Sequence, residues 1–458
     1  TRGYVCIDGV YTTVTNVKTD GDPNGGRIIL VDTARADATM TTEWLENHPV
    51  LIGPTTASSQ RTTSWQDDIC SRLNAWRTAG LDRSPRTFCS PQSPNALTTD
   101  GPALLFSSSD YLGMSTEPQV QQAMITAVRR LGCSSGGSRL TTGTSLAHQR
   151  AEHETAAWLG YPQAVFMASG YQANIATIQL LAGPDVTVIS DADNHASLID
   201  GCRLARARTV VVPHADLDAI EAALERVTTN RALVLAEGVY SMGGDVTPVA
   251  KLVEITHHHG ALAVVDDAHG IGTVGPTGRG VTEGLPASQR PDVLLATASK
   301  ALGVEGGFAC VDETLADLIR NCARGYAFSS ASSPVVAAAV AASVQYLRAD
   351  TNRVRRLQAN VTQARRLLAE AGLIPPPTAN DLGPIIRVPV GPESRAVAVQ
   401  DELARRGLMV GAIRYPAVGR GDAILRICLT AHHTDEHIQF LVASLCDVLD
   451  AALTDAPR

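Results

Sequence analysis

The sequence predicts an α/β protein with a large domain on a mostly parallel central sheet, a smaller C-terminal α+β domain and a small β-rich N-terminal appendage. Three observations predict it. From about Phe106 to Cys310, short apolar runs alternate with stretches of helical period, the pattern of repeated βα units. Beyond about Asn352 a long amphipathic stretch gives way to strand and helix signals in mixed order. The first 60 or so residues carry strand-like runs around a Gly/Pro/Asn-rich turn, a texture unlike the rest.

Taken in order, YVCIDGVYTTVTNV and GRIILVDTA read as strands around the turn signal DGDPNGG (20–26), with a short helical stretch at TTEWLENH. Residues 61–105 read as an arm or linker, 106–345 as the large domain and 346–458 as the small one. Within the large domain, AVFMAS (164–169), VTVISD (186–191), TVVVP (209–213), ALVLAEG (232–238), ALAVVDDA (261–268) and DVLLATAS (292–299) are buried strands. Helical segments such as 217–227 and 249–260 lie between them, the second closed by a glycine. An amphipathic helix spans Asn352 to Gly372. It is followed by IIRVPV, the helix SRAVAVQDELARRG, LMVGAIR, ILRICLT and a terminal helix from about Asp435.

Composition narrows the chemistry. With 44% hydrophobic and 18% charged residues the chain is globular, and its net charge of −8 with no basic stripe gives no reason to expect nucleic acid. No run approaches the roughly 18 apolar residues of a membrane span, and no basic-then-apolar leader pattern opens the sequence, so the expectation is a cytoplasmic protein without a membrane partner. Nine scattered cysteines without a CxxC pair read as reduced thiols. Among 38 basic residues only Lys18, Lys251 and Lys300 are lysines, which makes a lysine in an apolar setting conspicuous.

Lys300 is such a lysine. In LLATASKALGVEGG an apolar strand runs into small residues, an amine and a glycine-rich turn. An amine that forms an imine must be partly desolvated so that its neutral form is accessible. A surface lysine in a loop is the plainer alternative. Thr297 can offer a hydroxyl to a phosphate. In VVDDAHG, Asp266 and His269 follow a strand and can turn toward one crevice, where a carboxylate would keep a pyridine ring protonated and an imidazole would bond its phenolic oxygen; a structural ion network is the alternative. Asp267 is expected to point the other way. SGYQAN places Gly170 and Tyr171 at a helix N-terminus suited to phosphate. His195 in DADNHASLIDG follows a strand and could stack on an aromatic cofactor, or be structural. The triple histidine 257–259 points around a helix, so no metal is expected there.

The order of FSSSDYLGM (106–114), GGSRLTTGTSLAH (136–148), SGYQAN, DADNHASLIDG, EGVYSMGGD (237–245), DDAHGIGTVG, TASKALGVEGG, FSSASSP (328–334) and LRICLTAHHT (425–434) resembles the α-oxoamine synthases from about Phe106 to the C-terminus. That resemblance implies the fold-type I aminotransferase architecture, pyridoxal 5'-phosphate as cofactor and a homodimer with sites at the subunit interface. It implies Lys300 as the Schiff-base lysine, Asp266 on the pyridine nitrogen, His269 on the phenolic oxygen and His195 over the ring. Ser241 and Thr297 would hold or flank the cofactor, Gly170 and Tyr171 would lie at its phosphate, and Ser329 would reach the neighbouring subunit's phosphate. Arg426 would bind the amino-acid carboxylate. Ser109 stands where the family carries asparagine, and Gly243 where it carries aspartate.

Within the family, AIRYP (412–416), which contains Arg414, resembles a segment of the 8-amino-7-oxononanoate synthases, and Ser138 in GGSR leaves room for the methyl of alanine. The resemblance therefore implies decarboxylative condensation of L-alanine with a pimeloyl thioester, carried by CoA or a carrier protein, in biotin synthesis. A sister synthase making another aminoketone and a non-catalytic scaffold are the alternatives.

Overall fold

A computed structural model describes residues 64–454 together with Gly3–Ile7 and Val10–Val14. Most of the N-terminal signals, including GRIILVDTA, the turn 20–26 and TTEWLENH, lie outside the described residues. The chain divides into two compact units, Thr1–Asp82 and Arg83–Arg458. In the first, strands β1 (Gly3–Ile7) and β2 (Val10–Val14) pair antiparallel, with Gly3 opposite Val14 and Ile7 opposite Val10. Helix α1 (Trp65–Thr78) opens with a capping box between Ser64 and Asp67.

The second unit opens with an antiparallel hairpin, β3 (Asn95–Thr98) and β4 (Gly101–Leu105). Helices α2 (Pro118–Leu131) and α3 (Leu146–Leu159) follow. The βα series then runs β5 (Gln163–Met167), α4 (Gly170–Leu181), β6 (Val186–Asp191), α5 (Ala196–Ala205), β7 (Arg208–Val212), α6 (Leu217–Glu225), β8 (Arg231–Glu237), α7 (Val249–His258), β9 (Leu262–Asp266), β10 (Val293–Thr297) and β11 (Gly307–Val311). These strands form one seven-stranded sheet in the order β5-β11-β10-β9-β8-β6-β7. Every neighbouring pair is parallel except those of β11, which runs antiparallel to both β10 and β5.

Strands buried on both faces read as continuous apolar runs, and this sheet has that burial except at its edge strand β7. There TVVVP, read as buried, is largely exposed, with Val211 65% exposed, because only one side of an edge strand is paired and covered. Along β9, Val265 enters one core cluster and Val264 the other; along β10, Leu294 and Leu295 divide in the same way. Alanines and Ile178 of α4, Leu198 and Cys202 of α5, Ile319 of α8 (Glu313–Cys322) and Tyr326 of α9 (Arg324–Ala327) cover one face. The opposite face packs against residues of α7, α10 (Pro334–Ala349) and α11 (Asn352–Glu370).

The remainder is β12 (Ile385–Gly391), α12 (Glu393–Arg405), β13 (Leu408–Met409), β14 (Gly411–Ile413), β15 (Ala423–Cys428) and α13 (Asp435–Thr454). The run LMVGAIR, read as one strand, is two. Leu408 and Met409 pair with β4, whereas Gly411–Ile413 pair with β15, so adjacent residues serve two different three-stranded sheets. The hairpin at 95–105, within the stretch read as linker, thereby joins a sheet with C-terminal residues. Among the described residues no helix is long and apolar enough to cross a membrane.

Candidate active site

In an open parallel sheet, side chains that follow the carboxyl ends of the strands gather in one crevice. Here β5 leads to Gly170 and Tyr171, β6 to His195, β8 to Ser241, β9 ends on Asp266 and leads to His269, and β10 ends on Thr297 just before Lys300. A cavity of about 230 Å³ is lined by Gly170, Tyr171, Asn174, His195, Ser197, Glu237, Asp266, His269, Thr297, Ser299 and Lys300, with Ser169 and Ala268 completing it.

Lys300 leaves β10 in a tight return to β11. The Gly303 amide donates to the Lys300 carbonyl at 2.9 Å, the Val304 amide to Ala298 at 3.0 Å and the Ala298 amide to Gly306 at 2.9 Å. Gly303 has φ +66°, and a Cβ there would lie 2.3 Å from the Ser115 amide nitrogen, so the turn accepts no side chain. Lys300 lines the cavity. Burial lowers its pKa, against the upward pull of Asp266 and Glu237, which makes the neutral amine accessible.

Asp266 is buried and doubly held: Oδ2 accepts from Asn174 Nδ2 at 2.6 Å and Oδ1 from the Ala268 amide at 3.0 Å. The same Asn174 nitrogen donates to Ser197 Oγ at 2.8 Å, and Ser197 Oγ lies 2.8 Å from His195 Nδ1. Because the Ser197 amide also donates to Nδ1, at 3.3 Å, that nitrogen is the acceptor and the ring hydrogen sits on Nε2. A short polar chain thus links Asp266 to His195. His269 is buried, and burial holds its pKa well below the usual histidine range, so the imidazole is neutral.

Glu237 is the carboxyl that sequence reasoning passed over. It ends β8 in register with Asp266 on β9. Its Oε2 accepts from the Ser241 amide at 3.0 Å, while Oε1 is buried without a hydrogen-bond partner. Burial, reinforced by the Asp266 charge, raises its pKa well above the ordinary value. The signal was in ALVLAEG, an apolar strand closed by an acid in the manner of VVD, but that glutamate was given no role. Asn174, Ser197 and Ser299 were missed because single polar residues inside helices and turns carry no periodic mark.

Not every predicted residue meets in this cavity. Ser241 is buried beside it, its carbonyl accepting from Arg426 Nε at 2.6 Å, and Arg426 Nη1 lies 3.2 Å from Cys428 Sγ. Thr297 lines the cavity, with its hydroxyl 2.8 Å from both the Gly306 carbonyl and Ser299 Oγ. Tyr171 is 46% exposed and donates to Asp200 Oδ2 at 2.6 Å. Ser138 bridges to Ser330, and Ser329 lines a separate small cavity with Arg139 and Ser332. Ser109 sits at the turn below Tyr111, and Arg414 follows β14, buried. Asp267 faces away, as expected from the alternation of a strand, and accepts from the Val281 amide at 3.0 Å. His257 and His259 face different carboxylates, Asp292 and Glu221.

The cavity fits a pyridoxal phosphate group. It offers a desolvated amine, a buried carboxylate, an unpartnered carboxyl oxygen and the first turn of α4, whose N–H groups have no partner within the helix. A Cβ at Gly170 would sit 3.1 Å from Thr297, so glycine keeps that turn close to the end of β10. Fold and site together define a cofactor-dependent transferase of the aminotransferase type.

Comparison with known proteins makes the assignment specific. Residues 102–445 match the family described as aminotransferase class I and II, and residues 1–52 match 6-carboxyhexanoate--CoA ligase. The biotin biosynthesis bifunctional protein BioWF of Cutibacterium acnes is 82% identical over the whole chain, which spans 70% of that protein. The 8-amino-7-oxononanoate synthase of Paraburkholderia phymatum is 38% identical, covering 81% of this chain and 95% of its own. Among solved structures, Sphingomonas wittichii serine palmitoyltransferase superposes with a TM-score of 0.79 at 31% identity, covering 85% of this chain and 98% of its own. The Francisella tularensis 8-amino-7-oxononanoate synthase superposes with 0.66 at 26%, covering 77% and 99%. The chain belongs to the aminotransferase class I and II family and, within it, to the pyridoxal-phosphate-dependent α-oxoamine synthases.

Proposed function

We propose that this chain joins L-alanine to 6-carboxyhexanoyl-CoA with loss of carbon dioxide and release of free CoA, giving 8-amino-7-oxononanoate for biotin synthesis. The carbon count supports the pairing: seven carbons from the acyl group and three from alanine, less the one lost, leave nine. CoA is favoured as the acyl carrier because the first 52 residues resemble a ligase named for making that thioester. The reading rests above all on the desolvated Lys300 facing a buried Asp266 across one cavity.

When bound, pyridoxal 5'-phosphate supplies an electron sink for negative charge at the substrate Cα. The chain's own residues do the rest. Lys300 would hold the cofactor through its Nζ, and as a free amine it would serve as the base for the substrate Cα proton. Asp266, fixed by Asn174 and the Ala268 amide, supplies the anionic partner for a protonated pyridine nitrogen. His269 would offer its ring to the phenolic oxygen, and His195 would pack against the cofactor ring. The first turn of α4 receives the phosphate. Arg426, held by Ser241, takes the alanine carboxylate. Ser329 and the homodimer belong to the same proposal, with that serine reaching the phosphate of a second copy.

Lys300→Ala tests the core of this reading. The purified variant should lack the visible absorbance of covalently held cofactor and lose turnover by at least about a hundredfold, the scale of a general base. Retained turnover would overturn the assignment. Assays of alanine, glycine and serine against acyl-CoAs of several lengths fix the substrates.

A further inference from the structure

Tyr111 occupies the turn after Ser108–Asp110 and is fully buried, with its carbonyl accepting from the Ala431 amide at 2.7 Å. Asp110 pins that turn by accepting from the Met114 amide at 2.9 Å and from Ser115 Oγ at 2.6 Å. The Tyr111 hydroxyl is therefore delivered by a rigid loop. It lies 2.7 Å from His269 Nδ1, with the two rings tilted at 54°. The hydroxyl also faces the Arg426 guanidinium, a group that only donates, and the Ser109 hydroxyl, which acts on the phenol as a donor.

Resting on the reading of His269 as the residue facing the cofactor's ring oxygen, we infer that Tyr111 is a positioning residue: its hydroxyl accepts from Arg426, gives its one hydrogen to His269 Nδ1 and so fixes the His269 hydrogen on Nε2, the ring nitrogen left for a ligand. The logic is one of counting hydrogens. A phenol has a single hydrogen; arginine accepts none and the Ser109 hydroxyl acts as a donor here, so that hydrogen goes to the imidazole nitrogen 2.7 Å away. A neutral imidazole that accepts at Nδ1 must donate at Nε2. The titration tendencies agree, since burial raises the Tyr111 phenol far above its ordinary range and holds His269 neutral. The arginine proposed to take the substrate carboxylate is thus one tyrosine away from the donor proposed to face the cofactor oxygen.

The experiment compares wild type, Tyr111→Phe, His269→Ala and the double variant as purified holoenzymes. Two readouts besides turnover are used: the pH midpoint of the bound cofactor's visible absorbance, and the dissociation constant for pyridoxal 5'-phosphate added back to the apoprotein. Circular dichroism confirms that each variant is folded. Tyr111→Phe should raise the midpoint by about one unit, because an anionic oxygen that loses a donor holds a shared proton more tightly, and should weaken cofactor binding roughly tenfold, the scale of one hydrogen bond. In the His269→Ala background the same substitution should change neither quantity. Histidine-selective ¹⁵N spectra should place the hydrogen on Nε2 in wild type and over both nitrogens in Tyr111→Phe. An unmoved midpoint in Tyr111→Phe alongside a shifted one in His269→Ala overturns the role of Tyr111 and leaves His269 in place. A Tyr111→Phe effect of equal size without His269 also overturns it. If His269→Ala itself changes nothing, the underlying reading of His269 fails.

Discussion

Glu237 illustrates how a single residue can be costly and retained. Its carboxyl is buried beside Asp266, and one oxygen has no partner, so the neutral acid is favoured. Below about pH 4.5, its ordinary value, folded and unfolded chains are both protonated there. As the pH rises the unfolded chain ionises and the folded one does not, so stability is lost with increasing pH. Glu237→Gln keeps an acceptor for the Ser241 amide and removes the titration. The variant should therefore melt higher than wild type at pH 7, with the gap closing toward pH 4.5, as thermal scans across that range would register. An unchanged gap would mean that Glu237 is ionised in the fold. At this scale several of the residues that line the cavity were legible in the sequence. Lys300, Asp266, His269 and His195 all follow apolar strands, and the structure lines one cavity with them. Their partners were not legible: Asn174 joins Ser197 to Asp266 only because α4 and α5 pack side by side, a tertiary fact that no local pattern encodes.

At the scale of elements, the ends of β6, β7 and β8 are tied by one imidazole. His214, just beyond β7, lies 3.0 Å from Asp191 at the end of β6 and 3.0 Å from Asp245 in the loop after β8, with Tyr240 edge-on at 4.3 Å. Two carboxylates raise its pKa to about 10, and the Asp191 carboxyl is lowered in return. The histidine's stabilisation is complete below about pH 6.5 and lost as the pH climbs through 10, whereas that of Asp191 is lost as the pH falls through the acidic range. His214→Ala should thus cost most near pH 6, by about 1–2 kcal/mol for a partly exposed charged pair, and little at pH 10. Denaturant melts at the two pH values measure this; an equal loss at both would remove the charge from the explanation. Strand and helix identities were readable from apolar runs and periodicity because the central sheet is buried on both faces. The antiparallel β11 and the split of LMVGAIR between two sheets were not, since a five-residue run such as GFACV carries no sign of its direction and pairing is decided by distant partners.

For the whole molecule, the residues that line the cavity all fall within Arg83–Arg458, and residues 1–52 resemble a different enzyme, a ligase. Two family matches lie in one chain, and relatives are named as bifunctional; a ligase of the matched description makes the thioester that the proposed condensation consumes. Chemistry needs no contact between them, because a free CoA thioester diffuses. Removal of residues 1–52, leaving α1 and its capping box intact, should accordingly preserve cofactor binding and keep kcat/KM for 6-carboxyhexanoyl-CoA within about threefold of the full chain, a change below the roughly tenfold that one lost hydrogen bond produces. Steady-state kinetics with the thioester supplied in excess, beside a titration with pyridoxal 5'-phosphate, separates the possibilities. A rise in KM with kcat unchanged would place part of the acyl-CoA binding surface in the N-terminal segment, whereas a fall in cofactor affinity would tie that segment to the integrity of the site.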